Sequence, residues 1–135
     1  MMRSEQVLEL HRAGMEIGAH TVNHPILNAL PDPQAREEIA TGRAELEALI
    51  GAPVRTLAYP NGGPDRDYGQ RHATMALEMG FDAAVTTAVG VSRAGDDVFQ
   101  LPRFTPWDEQ VPRWLMRLVA NQRNTRFKTD RKSVV

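Results

Sequence analysis

The 135-residue sequence predicts an α/β fold in which about four parallel strands alternate with helices. Two observations carry that prediction. Short apolar runs bounded by glycine and proline recur at intervals of roughly 20–40 residues, and amphipathic stretches of helical period separate them. Strands alternating with helices pair in parallel through right-handed crossovers.

Each element has its own signal. Ser4 is the expected N-cap of a first helix carrying Val7, Leu8 and Leu10, with Gly14 as its stop. Residues 15–19 (MEIGA) form an apolar run short enough for a buried strand, ending at His20. A loop over 20–30 leads to Asp32 and Pro33, the expected N-cap and first helical residue. From there Ile39, Leu46, Leu49 and Ile50 keep helical spacing up to Gly51, with Arg36, Glu37, Arg43 and Glu47 on the polar side.

The pattern then repeats. Residues 56–59 (TLAY) read as a strand and 60–64 (PNGGP) as a loop. A helix is expected over 67–79, stopped by Gly80, then strands over 82–87 (DAAVTT) and 99–101. Pro112 suits the first turn of a last helix bearing Trp114, Leu115, Leu118 and Val119.

Composition narrows the chemistry. There is no cysteine, which excludes disulfides, iron–sulfur clusters, thiolate zinc sites and a cysteine nucleophile. Sixteen basic residues against seventeen acidic ones create no global field for nucleic acid. No apolar run is long enough to span a bilayer, and the charged, helix-patterned N-terminus is not a signal peptide, so the default expectation is cytoplasmic. Residues 1–121 are expected to form one domain. Residues 122–135 read as a basic tail, with Arg123, Arg126, Lys128, Arg131 and Lys132 against Asp130. That composition fits an unstructured, solvated end better than a nucleic-acid or phospholipid patch.

Functional groups of parallel α/β sheets collect where strands end. The expected strands are followed by His20-Thr21-Val22-Asn23-His24, by Pro60-Asn61-Gly62-Gly63, by Thr86-Thr87 and by Pro102-Arg103-Phe104. Two imidazoles four residues apart can converge on one metal ion if the backbone turns between them. Spacing alone equally allows two solvent-exposed loop histidines. The helical H-E-x-x-H pattern does not apply, because Thr21 replaces the glutamate and Pro25 follows His24. His11 and His72 fall within expected helices and read as surface or core-edge residues.

The run from Gly18 to His24 resembles the H-[ST]-x-x-H signature of the polysaccharide deacetylases, the NodB-homology domain of carbohydrate esterase family 4. Leu57-Ala58-Tyr59-Pro60-Asn61-Gly62 is similar to the next motif of that family. Leu101-Pro102-Arg103-Phe104 resembles an element of an exopolysaccharide-synthesis subgroup. The resemblance implies the C-terminal part of a distorted (β/α)7 barrel and a hydrolase removing N- or O-acetyl groups from acetylated polysaccharide. It further implies a divalent metal, most often zinc, held by His20, His24 and an aspartate. The backbone N–H of Asn61 then matches an oxyanion donor, and Tyr59 and Pro60 match cleft residues. Arg103 is a candidate contact to the base carboxylate or the oxyanion. For these residues plainer readings stand beside the implied ones: an ordinary turn for Asn61, the core for Tyr59, the surface for Arg103.

The departures are specific. The family's T-F-D-D motif precedes its histidines, whereas the 19 residues before His20 contain no aspartate. Ala58 stands where the family has arginine, and Arg103 where a late histidine is usual. Asp65 and Asp82 have no motif to support them as replacements. The chain is therefore expected to be incomplete as a catalyst, binding zinc weakly and hydrolysing little alone. It is also expected to expose a sheet edge open to self-association. The alternative is a non-catalytic carbohydrate-binding or assembly module derived from a deacetylase.

Overall fold

The structure is a computed structural model and describes residues 2–105 and 108–123. In chain order it contains α1 (Ser4–Arg12), a 3-10 turn (Leu27–Ala29), α2 (Asp32–Ile50), β1 (Thr56–Ala58), α3 (Gln70–Glu78), β2 (Ala83–Val85) and α4 (Val111–Gln122). β1 and β2 are parallel, with Leu57 opposite Ala84. Two single bridges extend them, Ala19 with Leu57 on one side and Leu101 with Val85 on the other, both parallel.

Four extended segments thus lie side by side in sequence order, but only the central two form ladders. Residues 15–19 do not make the expected strand. Only Ala19 pairs, its N–H donating to Thr56 O at 2.8 Å and its carbonyl accepting from Ala58 N at 2.9 Å. The predicted strand at 99–101 likewise shrinks to Leu101, and the one at 82–87 to Ala83–Val85. The described residues form an open parallel layer and do not close a barrel.

Helix starts also shift from their expected places. Arg3, not Ser4, caps α1, with the Gln6 side chain accepting from the Arg3 N–H at 2.9 Å. Pro31 caps α2, so Asp32 begins the helix. The far end is as expected: Gly51 is left-handed at φ 69° and its N–H returns to Glu47 O, a turn that glycine makes without Cβ strain. α3 starts only at Gln70, because Asp67 is drawn into the preceding turn, where its carboxylate accepts from Gly63 N and from the Arg66 guanidinium. α4 runs through Gln122, and residues 124–135, most of the expected tail, lie outside the described part.

The core sits between the sheet and the helices α2 and α3. Ile39, Val54, Leu57, Met75, Phe81 and Ala84 are buried together. The C-terminal half of α2 is fastened to both edges of this core. Glu47 accepts from Arg43 Nε and Val54 N, while Arg43 donates to Met79 O and lies 4.6 Å from the Phe81 ring centroid. No helix among the described residues is long and apolar enough to cross a membrane.

Candidate functional site

Because the extended segments are parallel, the groups that follow them emerge at one end of the layer. His20 leaves immediately after Ala19, and its Nδ1 lies 2.7 Å from Ala58 O. A carbonyl can only accept, so Nδ1 is the donor, and in the neutral ring the lone pair then lies on Nε2. The His24 ring stands edge-on to it, with centroids 4.8 Å apart and planes at 72°. Both rings are exposed.

The connector between them is held in an unusual shape. Thr21 (φ 62°) and His24 (φ 54°) are both left-handed, which costs non-glycine residues on the order of 1 kcal/mol each. Local bonds offset that cost. Thr21 Oγ1 accepts from His24 N at 3.2 Å. Glu38 of α2 accepts from Val22 N at 3.1 Å, Asn23 N at 2.9 Å and Asn23 Nδ2 at 2.6 Å. These bonds, the Asn23 side chain foremost, hold the Glu38 carboxyl below the usual carboxylate range. One turn further along α2, a Cβ on Gly42 would meet the Thr21 carbonyl carbon at 2.7 Å, so only glycine lets helix and loop approach this closely.

After β1 the chain makes a γ-turn about Asn61 (φ 58°), with Gly62 N donating to Pro60 O at 2.6 Å. Thr87, just past β2, pins that turn: its hydroxyl donates to Asn61 O at 2.8 Å and its N–H to Gly62 O at 3.0 Å. The Asn61 N–H takes no part in this network, and the residue is exposed. The turn, with its Asn61 and Gly62 carbonyls held by Thr87, follows β1 at the same sheet end from which His20 emerges.

Three expected assignments change. Tyr59 is 1% exposed, stacks on Tyr68 at 4.0 Å and donates its hydroxyl to Phe99 O, so it is a core residue and does not line a cleft. Pro60 is fully buried and sets the turn from inside. His72 is fully buried rather than at the surface or core edge. Its Nδ1 accepts from Gly69 N at 3.0 Å, capping α3, and its Nε2 has no partner among the described residues. Arg103 is exposed after Leu101, anchored by its own N–H to Ala88 O, with no hydrogen bond from its side chain to the histidines or Asn61.

Two imidazoles stand side by side, one with its tautomer set for coordination, which fits a divalent ion. No group of three histidine, aspartate or glutamate side chains able to hold a metal occurs among the described residues. At the opposite end of the layer a cavity of about 490 Å³ is lined by His11, Glu16, Arg55 and Asp82, remote from this chemistry.

Sequence reasoning missed Glu38 and Gly42. Glu38 looks like any charge on the polar face of an amphipathic helix. Gly42 did carry a signal, since an interior helical glycine often marks a close approach of backbone.

Comparison with known proteins places this arrangement. The family model described as polysaccharide deacetylase matches residues 2–84, a span that includes both histidines and the Asn61 turn. YxkH of Bacillus subtilis (strain 168) is 26% identical over 102 residues, which are 76% of this chain and 35% of that protein. The Streptococcus pyogenes deacetylase PplD in complex with acetate superposes with a TM-score of 0.76 at 24% identity, over 86% of this chain and 50% of that one. IcaB from Ammonifex degensii superposes with a TM-score of 0.71 at 25% identity, over 90% and 54%. The chain therefore spans about a third of the length of YxkH and about half of each of the two solved chains. With the family model matching well over half of its residues, the chain belongs to the polysaccharide deacetylase family.

Proposed function

We propose that this chain supplies the histidine side of a metal-dependent centre that removes acetyl groups from a polysaccharide. The observation that carries the reading is the His20 Nδ1–H bond to Ala58 O, which frees Nε2 beside the His24 ring. That orientation is the one by which metal-binding histidines commonly fix the ligating nitrogen.

A bound divalent ion, most often zinc in such centres, would polarise the acetyl carbonyl and acidify a water. His20 and His24 are the residues that would hold it. The Asn61 N–H, kept in place by the Thr87-pinned turn, donates to the oxygen on which negative charge develops, with little reorganisation because it is backbone. Thr21, Val22 and Asn23 keep the two rings at working distance. The reading also requires a carboxylate ligand and a general base, and the described residues hold no three-residue cluster that could bind a metal. The Leu101-Pro102-Arg103-Phe104 segment supports an exopolysaccharide as substrate class, with Arg103 exposed at the same sheet end.

The test is a Zn²⁺ titration by calorimetry of the chain and of His20→Ala and His24→Ala. The expected outcome is weak Zn²⁺ binding by the chain and loss of that binding in each variant. Equal binding by the double alanine variant would overturn the metal assignment. A chelator-sensitive release of acetate from acetylated chito-oligosaccharide by the chain alone would show that the missing carboxylate lies within it after all.

A further inference from the structure

We infer that Glu38 is a positioning residue for the histidine pair: from α2 it holds the His20–His24 connector in the one conformation that turns both rings toward a common ion. The inference rests on the metal reading above but concerns a side chain that no motif includes.

The geometry is unusual for a helix-surface glutamate. An acid on the polar face of a helix ordinarily points into water, or pairs with a basic residue one turn away. Glu38 instead spends both carboxylate oxygens on the loop: Oε2 takes the consecutive N–H groups of Val22 and Asn23, and Oε1 takes Asn23 Nδ2. The sequence separation is 15 to 16 residues, so this is a tertiary clamp and not a local turn. Val22 and Asn23 are the two central residues between left-handed Thr21 and left-handed His24. Two adjacent N–H groups can point at one oxygen because the chain reverses there, and that reversal brings His24 back to within 4.8 Å of His20. Charge matters too. The bonds are charge-assisted, and a carboxylate can accept all three, whereas a neutral amide has one acceptor oxygen. His20 is fixed separately by Ala58, so loss of Glu38 frees mainly His24.

The experiment uses the chain itself, with Zn²⁺ as probe, and follows the ring proton signals of His20 and His24 by NMR together with exchange of the Val22 and Asn23 amides. Glu38→Ala is expected to raise the Zn²⁺ dissociation constant at least about tenfold, the usual scale for outer residues that orient a ligand. It should also shift the His24 signals more than those of His20 and speed exchange at Val22 and Asn23. Glu38→Gln is expected to restore part of the affinity, because its oxygen can still take the two backbone N–H groups, without the charge assistance, while Asn23 turns its amide over.

A Glu38→Ala variant with lowered melting temperature but unchanged Zn²⁺ affinity and unchanged His24 signals would overturn the inference, leaving Glu38 a stabilising residue only. If the unmodified chain binds no Zn²⁺, the metal reading fails. The positioning claim is then decided by the metal-free His24 signals: a shift in Glu38→Ala supports it and their constancy refutes it.

Discussion

Gly42 and Thr21 are in backbone contact: a Cβ built on Gly42 would lie 2.7 Å from the carbonyl carbon of Thr21 and 2.8 Å from its oxygen. Helix propensity alone would reward Gly42→Ala by about 1 kcal/mol. The clash is with backbone, which cannot swing aside as a side-chain tip can, and overpacking of this kind costs about 1–3 kcal/mol. Gly42→Ala should therefore lower stability in urea unfolding and displace the Thr21 amide signal. A stabilised variant with that signal unmoved would show that the loop has room to give.

The neutral His20 ring should be the Nδ1–H tautomer, since its Nδ1 lies 2.7 Å from the Ala58 carbonyl oxygen. Nitrogen-15 shifts of the ring report this directly. An Nε2–H tautomer would remove the principal structural support for coordination through Nε2.

Tyr59→Phe deletes a buried hydroxyl and leaves the Phe99 carbonyl without its 2.8 Å donor. The expected loss is about 1–2 kcal/mol by denaturant unfolding. Burial, with Tyr68 and Asp97 nearby, pushes the Tyr59 phenol well above its usual range. Its phenolate absorbance should then appear only when the chain unfolds in alkali. Ionisation of the folded protein at the ordinary tyrosine pH, about 10, would contradict the placement.

Stability should fall on mild acidification because of His72. Burial, then the neighbouring Arg71 charge, holds its imidazole below the ordinary value. The unfolded chain takes up that proton near pH 6.5 and the folded chain at lower pH. Stability is therefore complete above about 6.5 and declines as pH drops below it, ending at the folded-state value. His72→Gln, whose side-chain oxygen can still accept from Gly69 N–H, should flatten the decline that sets in below about pH 6.5. A further loss at lower pH should remain, as Glu38 and Asp67, both held below the usual carboxylate range, become protonated. An unchanged slope in the variant would exonerate His72.

How much of this was legible depends on whether the signal was local. Helix α2 was read nearly to the residue because its amphipathic period and the Gly51 cap are written within the helix itself. The order of extended segments was read correctly for the same reason. Their lengths were not, since a strand exists only where a neighbour pairs with it, and beyond Ala19 the segment 15–19 finds none among the described residues. His20 and His24 were visible as a spaced pair, and Asn61 as the centre of a turn. For Tyr59 the motif suggested the cleft and its residue type the core; it follows directly on β1 (Thr56–Ala58), and its packing against Tyr68 decides for the core. Glu38 was invisible because its partners lie 15 or more residues away, and nothing on its own helix announces them.

The left-handed backbone at His24 sets the chain's folding against its chemistry. Glycine at that position would relax the turn, and a selection for heat resistance alone would drift toward it. Such a drift would remove the imidazole that the proposed metal site needs, while relieving the φ of 54° at that position. The histidine connector is thus where laboratory evolution for robustness and for turnover should part company first.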